Sequence, residues 1–251
     1  MHHFIAEAPW DPAAVLRVAR EWVLEPMVRH GPVAAWIVGD TASPKKGQHS
    51  VGVARQYCGV LGKQENWQVA VSVSVANDAV SLPVAYQLYL PEPWARDPRR
   101  RRAAGVPEAV PFQPKWQIAL GQIRILQAEG LPSAPVVADA GYGDTPEFRE
   151  ALTTAGIPYV VGVKGETTVW PPGEGPLPPQ RWGGPGRPPT RVRRTPRHAP
   201  RSLKRLAAER VSTITRKRGL FLGARPGCRT TGQPGRAVLQ HPASSKPTGW
   251  R

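Results

Sequence analysis

Residues 33–47 read VAAWIVGDTASPKKG, an apolar run followed by an abrupt polar turn. The run, Ala34–Val38, lies between a proline and a glycine, which is typical of a strand buried on both faces. Asp40 follows two residues after the run. The pattern therefore predicts a carboxylate at the carboxyl end of a strand, where ligand and metal sites of α/β sheets gather. An aspartate that only forms a turn is the alternative interpretation.

A second apolar run ends in a similar way. Ala134–Ala138 (APVVA) predicts a short buried strand, and Asp139 follows it. A helix predicted over Lys115–Ala128 precedes this strand and carries the chain back across the sheet. Because such crossovers are right-handed, the second strand can lie beside Ala34–Val38. Asp40 and Asp139 would then emerge side by side at one edge of the sheet.

The segment between these strands predicts an antiparallel meander. Trp67–Val75 (WQVAVSVSV) alternates apolar with small or polar residues, as in a strand with one exposed face. A first helix is predicted from the N-cap Asp11 to His30, with a disturbance at Pro26. A later helix is predicted to end at Ala155, with either Thr145 or Asp144 as its N-cap. The other predicted strands are Ala54–Val60, Leu82–Leu90 and Ile157–Val163. This order predicts an α/β fold with a mixed sheet, antiparallel strands followed by parallel ones, and flanking helices.

Charge is distributed unevenly along the chain. The 251 residues carry a formal net charge of +16, but residues 1–165 hold 16 Lys+Arg against 15 Asp+Glu, whereas residues 166–251 hold 18 against 3. Residues 171–200 also contain ten prolines, and no helix or strand period survives there. We therefore expect a helical lead-in over residues 1–32, a folded core over 33–165 and a basic, disordered tail over 166–251.

Cysteine usage and hydropathy restrict the compartment. Cys58 and Cys228 are far apart and lack the spacing of metal ligands, which argues against a zinc site or a disulfide framework and favours a reducing compartment. No stretch approaches the roughly 18 apolar residues of a membrane span. The N-terminus lacks the apolar region of a secretion signal. These features predict a cytoplasmic protein without a membrane partner.

Two neighbouring aspartates suggest metal-dependent chemistry. Carboxylates a few ångströms apart repel each other unless a cation lies between them, and hard oxygen ligands suit Mg²⁺ or Mn²⁺. Two such ions about 3.5–4 Å apart activate water and stabilise the leaving oxygen during phosphodiester cleavage. A third carboxylate normally completes such a site. Small residues beside both aspartates leave room for a phosphate backbone.

Basic residues near these aspartates are candidate contacts to DNA phosphates. They are two lysines close to Asp40, one arginine on the following hairpin and a run of four arginines. The candidate DNA-binding residues are Lys45, Lys46, Arg55, Arg99, Arg100, Arg101 and Arg102. Such contacts would position the protein on DNA without reading its sequence. Solvated loop charges are the alternative interpretation.

Longer blocks carry a resemblance to a known family. Ile37–Gly59 reads IVGDTASPKKGQHSVGVARQYCG, and LPVAYQLYLPEPWARD, AGVPEAVPFQPKW, VVADAGYGDTPEFREAL and GIPYVVGVKG follow in order. In these blocks, residues 2–165 resemble the DDE-superfamily transposases of bacterial insertion sequences.

That resemblance implies a ribonuclease-H-like fold and a DNA endonuclease that cleaves transposon ends and joins strands with Mg²⁺ or Mn²⁺. It implies that Asp40 and Asp139 are the first and second catalytic, metal-binding acids. The expected partners are transposon-end DNA, and either a second copy of the chain or a full-length transposase. The expected location is the cytoplasm, in association with the nucleoid.

The sequence departs from that family's pattern at three points. Gly39 stands where the family has a further Asp, the N-terminal helical region is largely missing, and no Tyr/Arg/Glu/Lys signature carries a third acid. The only acids after residue 165 are Glu166, Glu174 and Glu209. We therefore expect a truncated transposase with weak metal binding and little or no transposition activity. Its tail beyond residue 215 is expected to be read out of frame.

Two other functions are compatible with parts of the sequence. A non-catalytic, basic nucleic-acid-binding protein would use the tail, which binds phosphates through counterion release. A phosphatase-like enzyme would use Asp40 as a nucleophile on a strand-Asp-x-Thr-like turn. The antiparallel strands after Asp40 argue against the phosphatase, because that fold has a parallel, doubly wound sheet.

Overall fold

The computed structural model describes residues 11–58, 62–209 and 236–241. The helices are α1 (Pro12–Arg29), α2 (Glu92–Ala95), α3 (Pro98–Ala103), α4 (Lys115–Ala128), α5 (Ala140–Gly143) and α6 (Pro146–Thr154). The strands are β1 (Ala35–Pro44), β2 (Ala54–Cys58), β3 (Lys63–Ala76), β4 (Ser81–Leu88), β5 (Val136–Ala138), β6 (Tyr159–Lys164), β7 (Thr168–Val169), β8 (Arg201–Ser202) and β9 (Arg236–His241). In this described part of the chain, no helix has both the length and the apolar character needed to cross a membrane.

A mixed sheet organises the fold. Its strand order is β2-β3-β1-β5-β6-β9, with β4 also paired to β3. Strand β1 is antiparallel to β3 and parallel to β5, and β5 is parallel to β6. Strand β3 pairs antiparallel with β2 and β4 as well. Antiparallel strands are therefore followed by parallel ones, which confirms the predicted α/β fold and the crossover that brings the second short strand beside the first.

Strand β3 supplies the centre of the core. Its buried side chains largely alternate with partly exposed ones, as its sequence pattern predicted. Val71, Val73 and Val75 are fully buried, and each such side chain stabilises the fold by about 1.5–3 kcal/mol relative to an exposed position. Helix α4 has the predicted bounds, and its buried Gln122 donates a hydrogen bond to the carbonyl of Val71 at 3.0 Å. This contact fixes α4 against β3.

Strand β1 continues past Val38, where its apolar run ends, and reaches Pro44. Strand β1 extends this far because β3 pairs with it along its whole length. The hydrogen bonds of this ladder hold polar residues in the extended backbone of a strand. Asp40 therefore lies in the middle of β1, and the prediction that it stands at the carboxyl end of that strand was wrong. Relative to β5 the expectation holds, because the parallel pairing stops at Val38 and Asp40 lies just beyond it.

Helix α1 begins as predicted, with Asp11 as N-cap. The expected disturbance at Pro26 is not observed, because the helix continues to Arg29. Pro26 has no N–H to donate to the carbonyl of Trp22, so the helix lacks one backbone hydrogen bond there. The helix tolerates this loss.

Three short helices lie in segments for which the sequence predicted neither a helix nor a strand. Helices α2 and α3 lie between β4 and α4, and Asp97 caps α3 through its side chain. The residues directly after Asp139 form α5. At α6 the N-cap is Thr145, which decides between the two candidates that the sequence left open.

The chain divides into two compact units, Met1–Val161 with Gln240–Arg251 and Gly162–Leu239. In the described part of the second unit, β7 and β8 form an antiparallel pair and residues 203–209 are helical. Residue 210 and Cys228 lie outside the described residues, and beyond residue 215 only β9 is described. The domain limits and the disorder of the tail stay predictions.

Two tryptophans of the first unit allow a buried side chain to be compared with an exposed one. Trp36 on β1 is 2% exposed, whereas Trp22 on α1 is 80% exposed. We expect Trp36→Ala to lower the free energy of unfolding by about 3–5 kcal/mol, because it leaves a cavity. We expect Trp22→Ala to lower it by less than about 0.5 kcal/mol. Urea denaturation measures both, and equal losses would contradict the placement of Trp36 in the core.

Candidate active site

Asp40 lies where the core of the sheet meets solvent. It shares a face of β1 with the buried side chains of Trp36 and Val38, but its own side chain is 35% exposed. In the antiparallel ladder it stands opposite Val71 of β3. On the other side of β1, the parallel partner β5 has just ended. The carboxylate therefore lies at the rim of the core, next to the end of β5.

Asp139 is the first residue after β5. Val38 pairs with Ala138, so Asp139 and Asp40 both follow the last paired residues of adjacent parallel strands. Asp139 is the N-cap of α5, and its Oδ1 accepts a hydrogen bond from the N–H of Gly141 at 2.8 Å. A Cβ at Gly141 would lie 3.0 Å from that oxygen, so a larger residue would displace the carboxylate. The two aspartates therefore lie just beyond the last paired residues of β1 and β5.

Tyr142 binds Asp40 and lies near enough to Asp139 to feel its charge. Its buried ring packs against Phe148, and its hydroxyl donates a hydrogen bond to Asp40 Oδ1 at 2.6 Å. Burial raises the pKa of Tyr142 far above its usual value, and the charge of Asp40, the hydrogen bond to it and the charge of Asp139 raise it further. The phenol therefore remains a donor to Asp40. The charges of both carboxylates therefore disfavour ionisation of this hydroxyl.

Lys115 binds the other oxygen of Asp40. Its ammonium group donates to Oδ2 at 2.6 Å and lies 5.2 Å from the centroid of the Tyr89 ring. Lys115 is the first residue of α4, and Gln122 lies about two turns further on the same helical face. Gln122 donates to the carbonyl of Val71, the residue opposite Asp40 on β3. This buried hydrogen bond holds α4 where Lys115 meets the carboxylate.

The two aspartates fit a divalent cation in their ligand chemistry. Carboxylate oxygens suit Mg²⁺ or Mn²⁺, and the hydrogen bond from Gly141 engages only one oxygen of Asp139. Asp40 and Asp139 are therefore the residues that would hold such a cation, with Tyr142 orienting one oxygen of Asp40. Across residues 11–58 and 62–209, no group of three or more His, Cys, Asp or Glu side chains is arranged as a metal site.

A groove of about 420 Å³ brings together two of the predicted DNA contacts, Arg55 and Arg100, with Trp94 among its lining residues. The Arg100 guanidinium lies 3.7 Å from the centroid of the Trp94 ring and donates to the carbonyls of Gln48 and Val53 at 2.8 and 3.3 Å. These contacts give Arg100 a structural role in the wall of the groove.

The other residues predicted to contact DNA differ in whether their side chains already bind groups of the protein itself. Arg101 is engaged, because its guanidinium donates to backbone carbonyls of the loop that follows α3. Five side chains have no hydrogen bond or ion pair with any other described residue, and these are Lys45, Lys46, Arg55, Arg99 and Arg102. All five are at least partly exposed. Their charges are therefore available to a phosphate.

Lys115 and Tyr142 were not among the residues predicted from the sequence. Tyr142 follows Asp139 in the block VVADAGYGDTPEFREAL, and Lys115 opens a helix in the block AGVPEAVPFQPKW. The first turn of a helix disfavours positive charge, because the macrodipole presents its positive end there. A lysine at that position is a weak signal in the sequence for a nearby carboxylate partner.

Comparison with known proteins agrees with the resemblance in the sequence. A family model described as "DDE superfamily endonuclease" matches residues 1–220, beyond the point where the sequence blocks end. A protein of Microchaete diplosiphon, described as a probable transposase for insertion sequence element IS701, is 31% identical over 165 residues. The aligned region covers 65% of this chain and 40% of that relative.

We expect Tyr142 not to ionise in the folded protein, because burial and two carboxylates raise its pKa. In an alkaline absorbance titration, wild type and Tyr142→Phe should release equal numbers of phenolic protons while folded and differ by one proton only after unfolding. Since the unfolded chain ionises this tyrosine near pH ~10, the stabilisation that Tyr142 provides is complete below that pH and declines above it. A one-proton difference between the folded proteins near pH ~10–11 would contradict the buried position of Tyr142 beside Asp40.

Proposed function

Because the chain belongs to the DDE superfamily of endonucleases, we propose that it is the core of a transposase-type DNA endonuclease and strand transferase. Such a protein cleaves transposon ends and joins them to new DNA. The similarity to an insertion sequence transposase supports the proposal, although the chain spans only about 40% of that relative's length. The strongest support is the position of Asp40 and Asp139, which lie just beyond the paired residues of adjacent parallel strands.

In this proposal Asp40 and Asp139 are the catalytic, metal-binding acids. Divalent cations bound there would supply activation of the attacking oxygen and stabilisation of the leaving oxygen. Tyr142 keeps its proton and orients Oδ1 of Asp40. Gly141 keeps the approach to Asp139 free of a side chain. The small residues beside the two aspartates also leave space for the sugar–phosphate backbone of DNA.

The available basic side chains would position the DNA. Lys45, Lys46 and Arg55 lie on the segments that follow Asp40, and Arg99 and Arg102 lie on α3. Phosphate contacts of this kind fix orientation but carry no sequence information. Transposon-end DNA is the proposed substrate, and a second copy of the chain or a full-length transposase is the proposed protein partner. The proposed location is the nucleoid.

We further propose that this chain alone has little or no transposition activity. Two carboxylates bind a divalent cation less tightly than three, and no third acid joins Asp40 and Asp139 within the described residues. Glu209, one of three acids after residue 165, forms ion pairs with two arginines.

A non-catalytic DNA-binding protein is the second candidate. The ion pair between Lys115 and Asp40 favours it, because the carboxylate is neutralised without a metal. The excess of 18 basic over 3 acidic residues in 166–251 would then supply most of the affinity for DNA through counterion release. If this candidate is correct, replacing Asp40 or Asp139 changes neither metal binding nor any reaction on DNA.

We expect weak Mn²⁺ binding that requires both aspartates. Loss of the free Mn²⁺ electron paramagnetic resonance signal should give a dissociation constant on the order of millimolar for the wild type, as suits an incomplete oxygen site. Asp40→Asn and Asp139→Asn should abolish this binding. Glu65→Gln is the matched control, because Glu65 is an exposed acid on the hairpin paired with Lys63. Equal binding by all four proteins would support the non-catalytic candidate.

A nicking assay tests the same proteins with Mg²⁺ or Mn²⁺. Its substrate is a supercoiled plasmid that carries the gene and its flanking DNA. The expected result is no more nicking by the wild type than by Asp40→Asn. Nicking by the wild type that both aspartate variants remove would overturn the proposed inactivity while supporting the catalytic role of Asp40 and Asp139.

We expect Lys45→Ala/Lys46→Ala to weaken DNA binding and to reduce the salt slope, d log K/d log[salt], by about 1.8 for two lost phosphate contacts. The matched control is Arg17→Ala/Arg29→Ala, which removes the same charge from the exposed surface of α1. Fluorescence anisotropy with a mixed-sequence duplex at several salt concentrations measures both. Equal slopes for the two double variants would show that Lys45 and Lys46 make no specific phosphate contacts.

A further inference from the structure

Both oxygens of the Asp40 carboxylate are occupied by groups of the chain itself. The Lys115 ammonium donates to Oδ2 and the Tyr142 hydroxyl to Oδ1, each at 2.6 Å. The two donors differ in kind. Tyr142 is neutral and buried, whereas the side chain of Lys115 is charged and 32% exposed.

The position of Lys115 is unfavourable for the helix that carries it. Lys115 opens α4 directly after Pro114, which provides no side-chain cap, and no acidic residue lies in the first turn. The positive end of the helix macrodipole therefore disfavours this lysine locally. Its compensating partner is Asp40, 75 residues earlier in the chain.

We propose that Lys115 is the resident cation of the Asp40 carboxylate, and that a divalent cation must displace its ammonium group to bind there. This inference rests on the proposed function, in which Asp40 is a metal ligand. Two cations cannot share Oδ2 at close range without strong repulsion, so ammonium and metal compete for the same oxygen. Lys115 is able to leave, because a flexible four-carbon stem carries its charge and its side chain reaches solvent.

Tyr142 is not displaced in this scheme. Its hydroxyl is neutral and binds the other oxygen, so it does not compete electrostatically with a cation at Oδ2. It keeps Asp40 in one rotamer in both states. The displaced ammonium would lie beside the metal-bearing edge of the sheet, where a lysine acts as a point-charge ligand for a phosphate. The site would therefore be stable without metal and would expose an extra positive charge when metal is bound.

The test compares Mn²⁺ dissociation constants of the full chain and its variants by electron paramagnetic resonance. Lys115→Met keeps the aliphatic stem and removes the competing charge, so we expect it to bind Mn²⁺ about five- to tenfold more tightly than the wild type. Lys115→Gln should behave similarly. Lys115→Arg retains a cation and should bind no more tightly than the wild type. Lys63→Met is the matched control, because it removes an equal charge from the exposed ion pair with Glu65 and should leave the constant unchanged.

The outcomes separate this inference from the proposed function. Tighter binding by Lys115→Met and Lys115→Gln, abolished by adding Asp40→Asn, supports displacement. If Mn²⁺ binding requires Asp40 and Asp139 but neither neutral variant tightens it, the displacement is wrong and the metal site stands. If Mn²⁺ binding is independent of both aspartates, the proposed function and the displacement fail together. Circular dichroism of each variant verifies that it is folded.

Discussion

The site around Asp40 is organised by two donors that meet its carboxylate from separate elements of the fold. Lys115 and Tyr142 each donate to one of its oxygens at 2.6 Å. Neither residue lies near Asp40 in sequence. The ion pair and the hydrogen bond therefore exist only when α4 and α5 have docked on the sheet.

The sheet provides the surface on which α4 and α5 dock. Strand β1 is held on one side by a ten-residue antiparallel ladder with β3 and on the other by a short parallel pairing with β5. The ladder keeps Asp40 in extended backbone, and the early end of β5 opens a place for Asp139 and α5 beside it. Gln122 then fixes α4 to the carbonyl of Val71. Each contact joins residues far apart in sequence, and together they assemble one cluster from three parts of the chain.

Much of this architecture could be predicted from the sequence. The alternation along Trp67–Val75 is strong because one face of β3 packs in the core, and helix Lys115–Ala128 has the predicted bounds because Pro114 and Gly130 mark its ends. The end of β1 could not be predicted, since its ladder partner rather than its own hydropathy extends it to Pro44. Helices α2 and α3 were missed because their prolines and arginines resemble a solvated loop.

Only part of the candidate site could be predicted from the sequence. Asp40 and Asp139 follow apolar runs, and that local signal marks them. Lys115 and Tyr142 acquire their roles through tertiary contacts, for which a single sequence carries only weak signals. Arg100 and Arg101 show the opposite case, since a charged run that suggested DNA contact supplies two residues that bond to backbone carbonyls.

We propose that Asp40 and Asp139 share one corner that binds a divalent cation. Anomalous diffraction from crystals of the chain soaked in MnCl₂ measures this binding directly. We expect an anomalous peak coordinated by both carboxylates, with the Tyr142 hydroxyl still bonded to Asp40. A peak bound to neither aspartate, or carboxylates pointing to opposite faces of the sheet, would contradict it.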